Sequence, residues 1–347
     1  MVLANITRST RLNLESLDRR DVPATLSVPS AAHAHRFAVA SAAGQTTQVN
    51  VYESGTNALL TTFQPFGQAY TGGVSVATGD VTGDGIDDVV VGALNGSSRV
   101  KIYDGATQAV VANFETHPGT TAGAFVALGD VTGDGRIDLV VGANRGSIVQ
   151  IYRGQDLTQA NPTPVAQLQP FGAPYNGGVR VAVGDVNGDH IADIIAAPGV
   201  GGSAVVNVYT TTAAWGDTPG SMYRSKLSTI SVGGTGDRGG VFVSAADMDG
   251  DGKADIAVGR VVSGRATVTV YKGDRPQVRL LQSFGYTSTE PGGVPVSLRD
   301  LDGDGHAELI VGGGAGTSQV RVLNRFGALE RSFMAFPPNY QGGVFVG

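Results

Sequence analysis

The chain has 347 residues, of which 52 are glycine, 41% are hydrophobic and none is cysteine, and its formal net charge is −6. The absence of cysteine excludes disulfides, thiolate metal sites and a cysteine nucleophile, and the negative charge argues against a nucleic-acid partner. No stretch approaches the about 18 consecutive apolar residues of a membrane-spanning helix, and the glycines follow no period of three, which excludes collagen.

Residues 1–35 are expected to form a leader or disordered tail. They contain no continuous apolar stretch, so they lack the pattern of an ordinary signal peptide. The segment RLNLESLDRRDVPA resembles the N-terminal leader of many surface or exported proteins of planctomycete bacteria, which implies an extracellular or cell-surface location. The alternative is a disordered or weakly helical tail. The resemblance is carried by Leu14, Glu15, Leu17, Arg19, Arg20, Val22, Pro23 and Ala24.

From residue 36 onward a single unit repeats. In its second copy, short runs rich in Val and Ile are bounded by Gly, Asp or Asn, with no helical period. These runs predict four strands, near residues 74–77, 88–92, 99–103 and 110–114. The third strand recurs as VNVY, VKIY, VQIY, VNVY, VTVY and VRVL. Its six copies begin at Val49, Val100, Val149, Val206, Val268 and Val320.

Four strands in each repeat are typical of a β-propeller blade. Five acidic loops, starting at residues 80, 130, 185, 247 and 300, separate the first strand of a unit from the second. A sixth loop is absent because the first blade is predicted to be split. The repeats begin with the second strand of that blade and end with its first strand, GGVFVG. The sequence therefore predicts an all-β, six-bladed propeller of four-stranded blades, with the first blade closed by the C-terminal strand.

Two other architectures are alternatives to this propeller. A solenoid needs capping repeats at its ends, and none is visible. A truncated chain that continues into further blades is the main alternative. The predicted propeller spans residues 36–347, with blades at about 36–71 plus 342–347, 72–122, 123–176, 177–238, 239–291 and 292–341.

The acidic loops predict cation sites. They read DVTGDGIDD, DVTGDGRID, DVNGDHIAD, DMDGDGKAD and DLDGDGHAE, with oxygen side chains at loop positions 1, 3, 5 and 9. Calcium takes about 6–8 oxygen ligands, which such a loop can supply together with the carbonyl at position 7. The alternative is a plain Asx/Gly turn, but five copies in register favour up to five Ca²⁺ ions. The side chains concerned are Asp80, Thr82, Asp84, Asp88; Asp130, Thr132, Asp134, Asp138; Asp185, Asn187, Asp189, Asp193; Asp247, Asp249, Asp251, Asp255; and Asp300, Asp302, Asp304, Glu308.

The five loops are not equivalent. The loops at 247 and 300 each offer four carboxylates and are expected to bind calcium most tightly, because affinity follows ligand charge. The loop at 185 offers three and places His190 where glycine is usual, which predicts a positive φ at a non-glycine residue. Thr82 and Thr132 leave the first two loops with three carboxylates each, so weaker binding is expected there.

The DxDGDG loop, followed by an apolar strand and VGA, makes residues 36–347 similar to FG-GAP/VCBS-type repeats, the blades of integrin α-subunit propellers and of many bacterial surface proteins. In that family the acidic loop binds calcium. The FG and GAP dipeptides are mostly replaced here by GG and VGA, so integrin-like ligand recognition is not implied. By motif position the resemblance adds the carbonyls of Ile86, Arg136, Ile191, Lys253 and His306 to the ligand side chains named above.

Other motifs carry weaker signals. Gly234, Gly236 and Gly239 spell GxGxxG, but no helix is predicted after them, so a dinucleotide site is not expected. Aromatic residues recur before the first strand, as in FQPFGQAY and LQPFGAPY, and predict packing between blades or, alternatively, sugar-stacking platforms. The connection at 210–226 holds the only tryptophan, Trp215, and is the first place where a unique binding site is expected.

The leading hypothesis is a non-enzymatic, calcium-binding extracellular or cell-surface scaffold or adhesion module, without catalytic residues. The first alternative is a lectin-like glycan binder, and the second is a polysaccharide lyase or hydrolase. Fold alone does not choose among them. Strong repetition without a unique polar cluster favours binding or scaffolding. We expect a monomer with a protein or glycan ligand and no nucleic-acid partner.

Overall fold

The computed structural model describes residues 35–211, 224–234, 236–287, 293–340 and 342–347. The chain divides into two units, Met1–His33 and Ala34–Gly347. All described residues belong to the second unit. The predicted leader and the segment around Trp215 lie outside the described residues.

The described residues form six antiparallel sheets of four strands each, which are the blades. In blades one to three the strands are β1 (Arg36–Ser41), β2 (Val49–Glu53), β3 (Leu59–Phe63), β4 (Val74–Gly79), β5 (Asp88–Ala93), β6 (Arg99–Tyr103), β7 (Val110–Glu115), β8 (Ala124–Gly129), β9 (Asp138–Ala143), β10 (Val149–Tyr152) and β11 (Ala166–Leu168). In blades four to six they are β12 (Val179–Gly184), β13 (Asp193–Pro198), β14 (Val205–Thr211), β15 (Arg224–Ser231), β16 (Phe242–Ala246), β17 (Asp255–Val262), β18 (Arg265–Tyr271), β19 (Arg279–Thr287), β20 (Val296–Arg299), β21 (Glu308–Gly312), β22 (Gln319–Leu323) and β23 (Leu329–Met334).

The C-terminal strand β24 (Val344–Val346) closes the first blade. It pairs antiparallel with β1, with Val39 opposite Val346 and Ser41 opposite Val344. The blade order is β24-β1-β2-β3, so β24 takes the inner position that β4, β8, β12, β16 and β20 hold in the other blades. These inner strands contact one another in sequence around a ring. The predicted six-bladed propeller and its closure are confirmed.

The second strand of each blade forms the core. In β5 (DVVVGA) and β9 (DLVVGA) every residue is buried, since each strand lies between two sheet neighbours and is covered by adjacent blades on both faces. A Cβ built on Gly142 would lie 2.2 Å from the Val179 carbonyl oxygen of the next blade. The glycine of the VGA motif therefore allows a close approach between blades.

The connections are turns and loops, with a short 3-10 helix at Gly154–Asp156. Across the described ranges, no helix combines the length and the hydropathy that crossing a bilayer would require. The inner strands line an axial channel with a cavity volume of about 180 Å³.

Candidate metal centre

All five acidic loops join an inner strand to the second strand of the same blade, so they lie together on one face of the ring. The carboxylate at loop position 9 begins the second strand in every case. The strand-starting residues are Asp88, Asp138, Asp193, Asp255 and Glu308.

The carboxylate at position 1 organises each loop. In blade three, Oδ1 of Asp130 accepts the backbone N–H groups of Gly133 at 2.6 Å and Asp134 at 3.1 Å, and Oδ2 accepts that of Gly135 at 2.7 Å. Gly133 and Gly135 have φ of +70° and +79°, a conformation that favours glycine. A carboxylate has about four lone-pair sites, so Asp130 keeps acceptor capacity for an ion.

The carboxylate at position 9 is buried and holds the loop against the strands. Oδ2 of Asp138 accepts the N–H groups of Val131 at 3.0 Å and Thr132 at 2.9 Å, while Oδ1 accepts that of Gly154 at 2.9 Å. Burial, together with the charges of Asp134 and Asp130, raises the pKa of Asp138 to about 6. A neighbouring cation would favour its ionised form.

Two loops bring three carboxylates together. In blade five these are Asp247, Asp249 and Asp251, and in blade six they are Asp300, Asp302 and Asp304. Within each group, one oxygen atom per residue lies within 4.8 Å of the others. These are the two loops that the sequence ranked highest. Their position-9 partners, Asp255 and Glu308, stand outside the groups and bind backbone N–H groups instead.

The remaining three loops have the same backbone arrangement with fewer charges. Thr82 and Thr132 stand at position 3 in blades two and three. In blade four, Asn187 donates from Nδ2 to Asp189 at 3.0 Å, so part of its amide serves the loop itself. His190 has a φ of +67°, as predicted, where the other four loops have glycine.

In blade five, Lys272 alters the predicted site. Its ammonium forms ion pairs with Asp249 and, at 2.7 Å, with Asp251. These hydrogen bonds raise the pKa of Lys272 and lower that of Asp251. The lysine follows strand β18 directly, where the other blades carry Glu53, Asp104, Arg153, Thr210 and Asn324. The sequence shows that a lysine stands at this position in blade five alone, but it could not show that the ammonium reaches the loop.

The blade-six loop fits a cation best. It has four carboxylates, and in place of Lys272 this blade has Asn324, which hydrogen-bonds to Phe326 and Ala328. Burial, reinforced by the charges of Asp302, Glu330 and Asp300, raises the pKa of Glu308 to about 7. Four carboxylates on one small loop match a hard divalent cation, and these residues would hold it with the His306 carbonyl.

Neighbouring loops are joined to one another. The N–H at loop position 8 donates to the position-1 carbonyl of the preceding blade: Ala192 to Asp130 at 2.9 Å, Ala254 to Asp185 at 2.7 Å, and Ala307 to Asp247 at 2.7 Å. An ion that orders one loop would therefore also support the next loop around the face.

Blade one has no acidic loop, and an arginine spans the gap. Arg299, the residue before Asp300, forms an ion pair with Asp87 of blade two. Its Nη1 also donates to Thr78 Oγ1 at 2.8 Å, and Asp87 accepts the Arg36 N–H at 2.9 Å. The sequence pattern did not predict this ion pair. Its one local signal is that Arg299 stands where the residues before the other acidic loops are small, namely Gly79, Gly129, Gly184 and Ala246.

Three of the repeated aromatic segments, those that end at Tyr70, Tyr175 and Tyr340, pack at blade junctions. The hydroxyl groups of Tyr70 and Tyr175 donate to the carbonyls of Asn95 at 2.8 Å and Gly199 at 2.9 Å. Tyr340 donates to Gly343 at 2.7 Å. Burial raises the pKa of Tyr175 and Tyr340 to about 12. These side chains act in packing, as the sequence predicted.

The other motifs do not form a second site among the described residues. The GxGxxG glycines lie between β15 and β16, so a strand follows them, as predicted. His117 is buried in the linker between blades two and three, 3.1 Å from Thr116 Oγ1. His306 contacts Arg325 at the loop face.

The comparisons with known proteins agree with this architecture. A family model described as an FG-GAP-like repeat matches residues 80–141 and 130–196, and each match begins at the first residue of an acidic loop. No curated protein matches the sequence significantly. A protein of unknown function from Bacteroides caccae is 9% identical with a TM-score of 0.52, and the alignment covers 90% of this chain and 98% of that protein. At this identity, the likeness shows the fold alone.

Two further solved structures have lower TM-scores. An exotype rhamnogalacturonan lyase, YesX, is 14% identical with a TM-score of 0.41, and the alignment covers 86% of this chain but only 61% of the lyase. A lectin from Agrocybe aegerita that recognises non-reducing terminal N-acetylglucosamine is 18% identical with a TM-score of 0.47, at coverages of 89% and 78%. TM-scores this low carry no information about the activity of this chain. The sequence match and the ring together show that residues 80–196 carry FG-GAP-like repeats, within a six-bladed β-propeller.

Proposed function

We propose that the chain is a calcium-stabilised propeller that serves as an extracellular or cell-surface scaffold or adhesion module. The observation that carries this proposal is the presence of two clusters of three carboxylates, one in the acidic loop of blade five and one in that of blade six. FG-GAP-like repeats are typical of extracellular proteins, which supports the location.

The position of the acidic loops favours a structural role for the ions over a catalytic one. The five loops are equivalent points of a repeated scaffold, and hydrogen bonds between neighbouring loops join several of them directly. The described aromatic side chains before the inner strands are engaged in blade packing, so they do not favour the glycan-binding alternative. The proposed role of calcium is therefore to hold the loop face of the ring in one conformation.

The test is thermal unfolding with calcium and with excess chelator. An ion that binds only the folded chain stabilises it by about 2.7 kcal/mol at a hundredfold excess over its Kd, so calcium should raise the Tm. Asp302→Asn should reduce this gain, because it removes a carboxylate from the blade-six group. Glu330→Gln is the matched control, since it removes a nearby charge outside the loop. An identical Tm in calcium and chelator would refute calcium stabilisation.

A further inference from the structure

The mouth of the channel opposite the acidic loops is lined by one residue from each blade. It is the fourth residue of the inner-strand motif, which reads GGVxV in five blades and AGAFV in blade three. This residue lies near the start of the strand, whereas the acidic loop follows the end. All six of these side chains border a small inner cavity of about 60 Å³. They are, from blade one to blade six, Phe345, Ser75, Phe125, Arg180, Phe242 and Pro295.

Three phenylalanines come from alternate blades and meet across the axis. The ring centroids of Phe125 and Phe242 are 6.2 Å apart, as are those of Phe125 and Phe345, and those of Phe242 and Phe345 are 5.6 Å apart. These are contact distances for aromatic pairs. The channel is therefore narrowed at this end by an apolar ring.

Arg180 is inserted into this ring from blade four. Its guanidinium carbon lies 4.1 Å from the centroid of Phe242 and 5.3 Å from that of Phe125. The residue is 8% exposed. Nη1 donates to the Pro198 carbonyl at 3.3 Å, while Nε is buried without a hydrogen-bond partner.

No carboxylate among the described residues forms an ion pair with Arg180. Arg299, also on an inner strand but at the other end of the channel, is paired with Asp87. Burial of an unpaired charge is unfavourable, and cation–π contacts offset only part of that. Burial lowers the pKa of Arg180 to about 10, so the guanidinium remains charged at neutral pH.

A second cavity, of about 130 Å³, opens beside this group. Arg180, Phe242 and Phe345 line it together with glycines of the turns that precede the inner strands, including Gly293 and Gly343. Glycine leaves the backbone accessible, and the rings provide an apolar wall. The cavity thus combines a buried cation, apolar surface and room for a small group.

We propose that this channel mouth binds a small organic carboxylate, with Arg180 receiving the carboxylate and the phenylalanine ring contacting the body of the ligand. The planar guanidinium fork matches the geometry of a carboxylate, and burial strengthens the charge-assisted hydrogen bonds. The site lies at the end of the channel away from the acidic loops and does not depend on the proposed calcium function.

The test is isothermal titration of the full chain in calcium-containing buffer with matched probes. D-glucuronate and D-glucose differ in the carboxylate, acetate is a carboxylate without the sugar, and sulfate is an inorganic anion. D-glucuronate or acetate should bind while D-glucose does not. Binding of sulfate alone, or of D-glucose as well as D-glucuronate, would overturn the proposal, as would no binding by any probe.

Variants locate the binding. Arg180→Met keeps an unbranched apolar side chain without the charge and should weaken carboxylate binding on the order of tenfold or more. Arg238→Met is the control, because Arg238 is an exposed arginine in the turn that precedes β16, the strand that carries Phe242. Unchanged binding by Arg180→Met would overturn the assignment.

Unfolding of the ligand-free variants separates binding from packing. Arg180→Met should retain or raise the Tm, because no carboxylate among the described residues loses a partner, whereas Arg299→Met should lower it by removing the arginine partner of the buried Asp87. An equal fall in Tm for both variants would mean that Arg180 is a structural element, against the proposal.

Discussion

Single residues decide how the five acidic loops differ. The positions that name the motif are nearly constant, but Lys272 places an ammonium between two carboxylates of the blade-five loop. A calcium ion at that loop would compete with this lysine for the same oxygen atoms. The expectation that the loops at 247 and 300 bind calcium most tightly is therefore refined, with the blade-six loop ranked first.

We expect Lys272→Met to make the blade-five loop more dependent on calcium. Without the ammonium, Asp247, Asp249 and Asp251 repel one another, so the Tm in chelator should fall. The expected loss in the free energy of unfolding is about 1 kcal/mol, the contribution of a partly exposed ion pair. Calcium should restore the Tm. Lys253→Met is the control, because that lysine pairs with Asp274 outside the group at 2.9 Å. A calcium-dependent gain no larger than that of the unaltered chain would contradict the role assigned to Lys272.

Individual strands and linkers show how the blades are held together. The glycine of the VGA motif lies where the second strand meets the inner strand of the next blade, and a Cβ at Gly92, Gly142 or Gly259 would approach a carbonyl oxygen to 2.3, 2.2 or 2.0 Å. Ala40 and Ala197 hold the same position in blades one and four. The spacing between blades therefore varies around the ring.

Gly142→Ala should destabilise the ring. The added methyl group meets backbone rather than a flexible side chain, so adjacent blades must shift, at a loss of about 1–3 kcal/mol. Gly234→Ala is the control, since a Cβ there meets nothing within 4 Å. Urea unfolding measures both variants. Equal midpoints for Gly142→Ala and the unaltered chain would show that the junction is looser than the distances indicate.

The linker between blades two and three contains a buried histidine. Burial lowers the pKa of His117 below its ordinary value of 6.5. The neutral form is thus favoured by folding, and this contribution to stability is complete above pH 6.5 and is lost as the pH falls below it.

His117→Phe should make the melting temperature less sensitive to acid. The loss of stability between about pH 7 and pH 5 should shrink, because no buried imidazole needs to be protonated. His190→Asn is the control, since His190 is exposed and asparagine tolerates its positive φ. Parallel pH profiles for His117→Phe and the unaltered chain would be inconsistent with a buried neutral histidine.

The propeller depends on contacts between its first and last strands. The C-terminal strand supplies the inner position of blade one, and Ala38 and Gly347 exchange backbone hydrogen bonds of 2.7 and 3.1 Å. On the loop face, Arg299 connects blade six to blade two across the missing loop. Ring closure therefore rests on a strand at the centre and an ion pair at one face.

Deletion of residues 344–347 should open the ring. It exposes the edge of β1 and removes Val344 and Val346, whose burial contributes about 1.5–3 kcal/mol each. A lower Tm and a tendency to associate are expected, measured by thermal unfolding and size-exclusion chromatography. A synthetic peptide of residues 342–347 should partly restore the Tm. An unchanged melt of the shortened chain would show that closure does not stabilise the ring.

The repeat pattern was enough to predict the blade count, the third strands, the closing strand and the position of every acidic loop. These follow from short-range patterns, such as alternating apolar residues, glycine turns and the Asp spacing, that recur once per blade. Which charged side chains meet became visible in the folded ring. Asp87 and Arg299 are 212 positions apart, and Phe125, Phe242 and Phe345 come from alternate blades. Such pairs are set by the geometry of the closed ring, because no local pattern specifies which residues face each other across the axis.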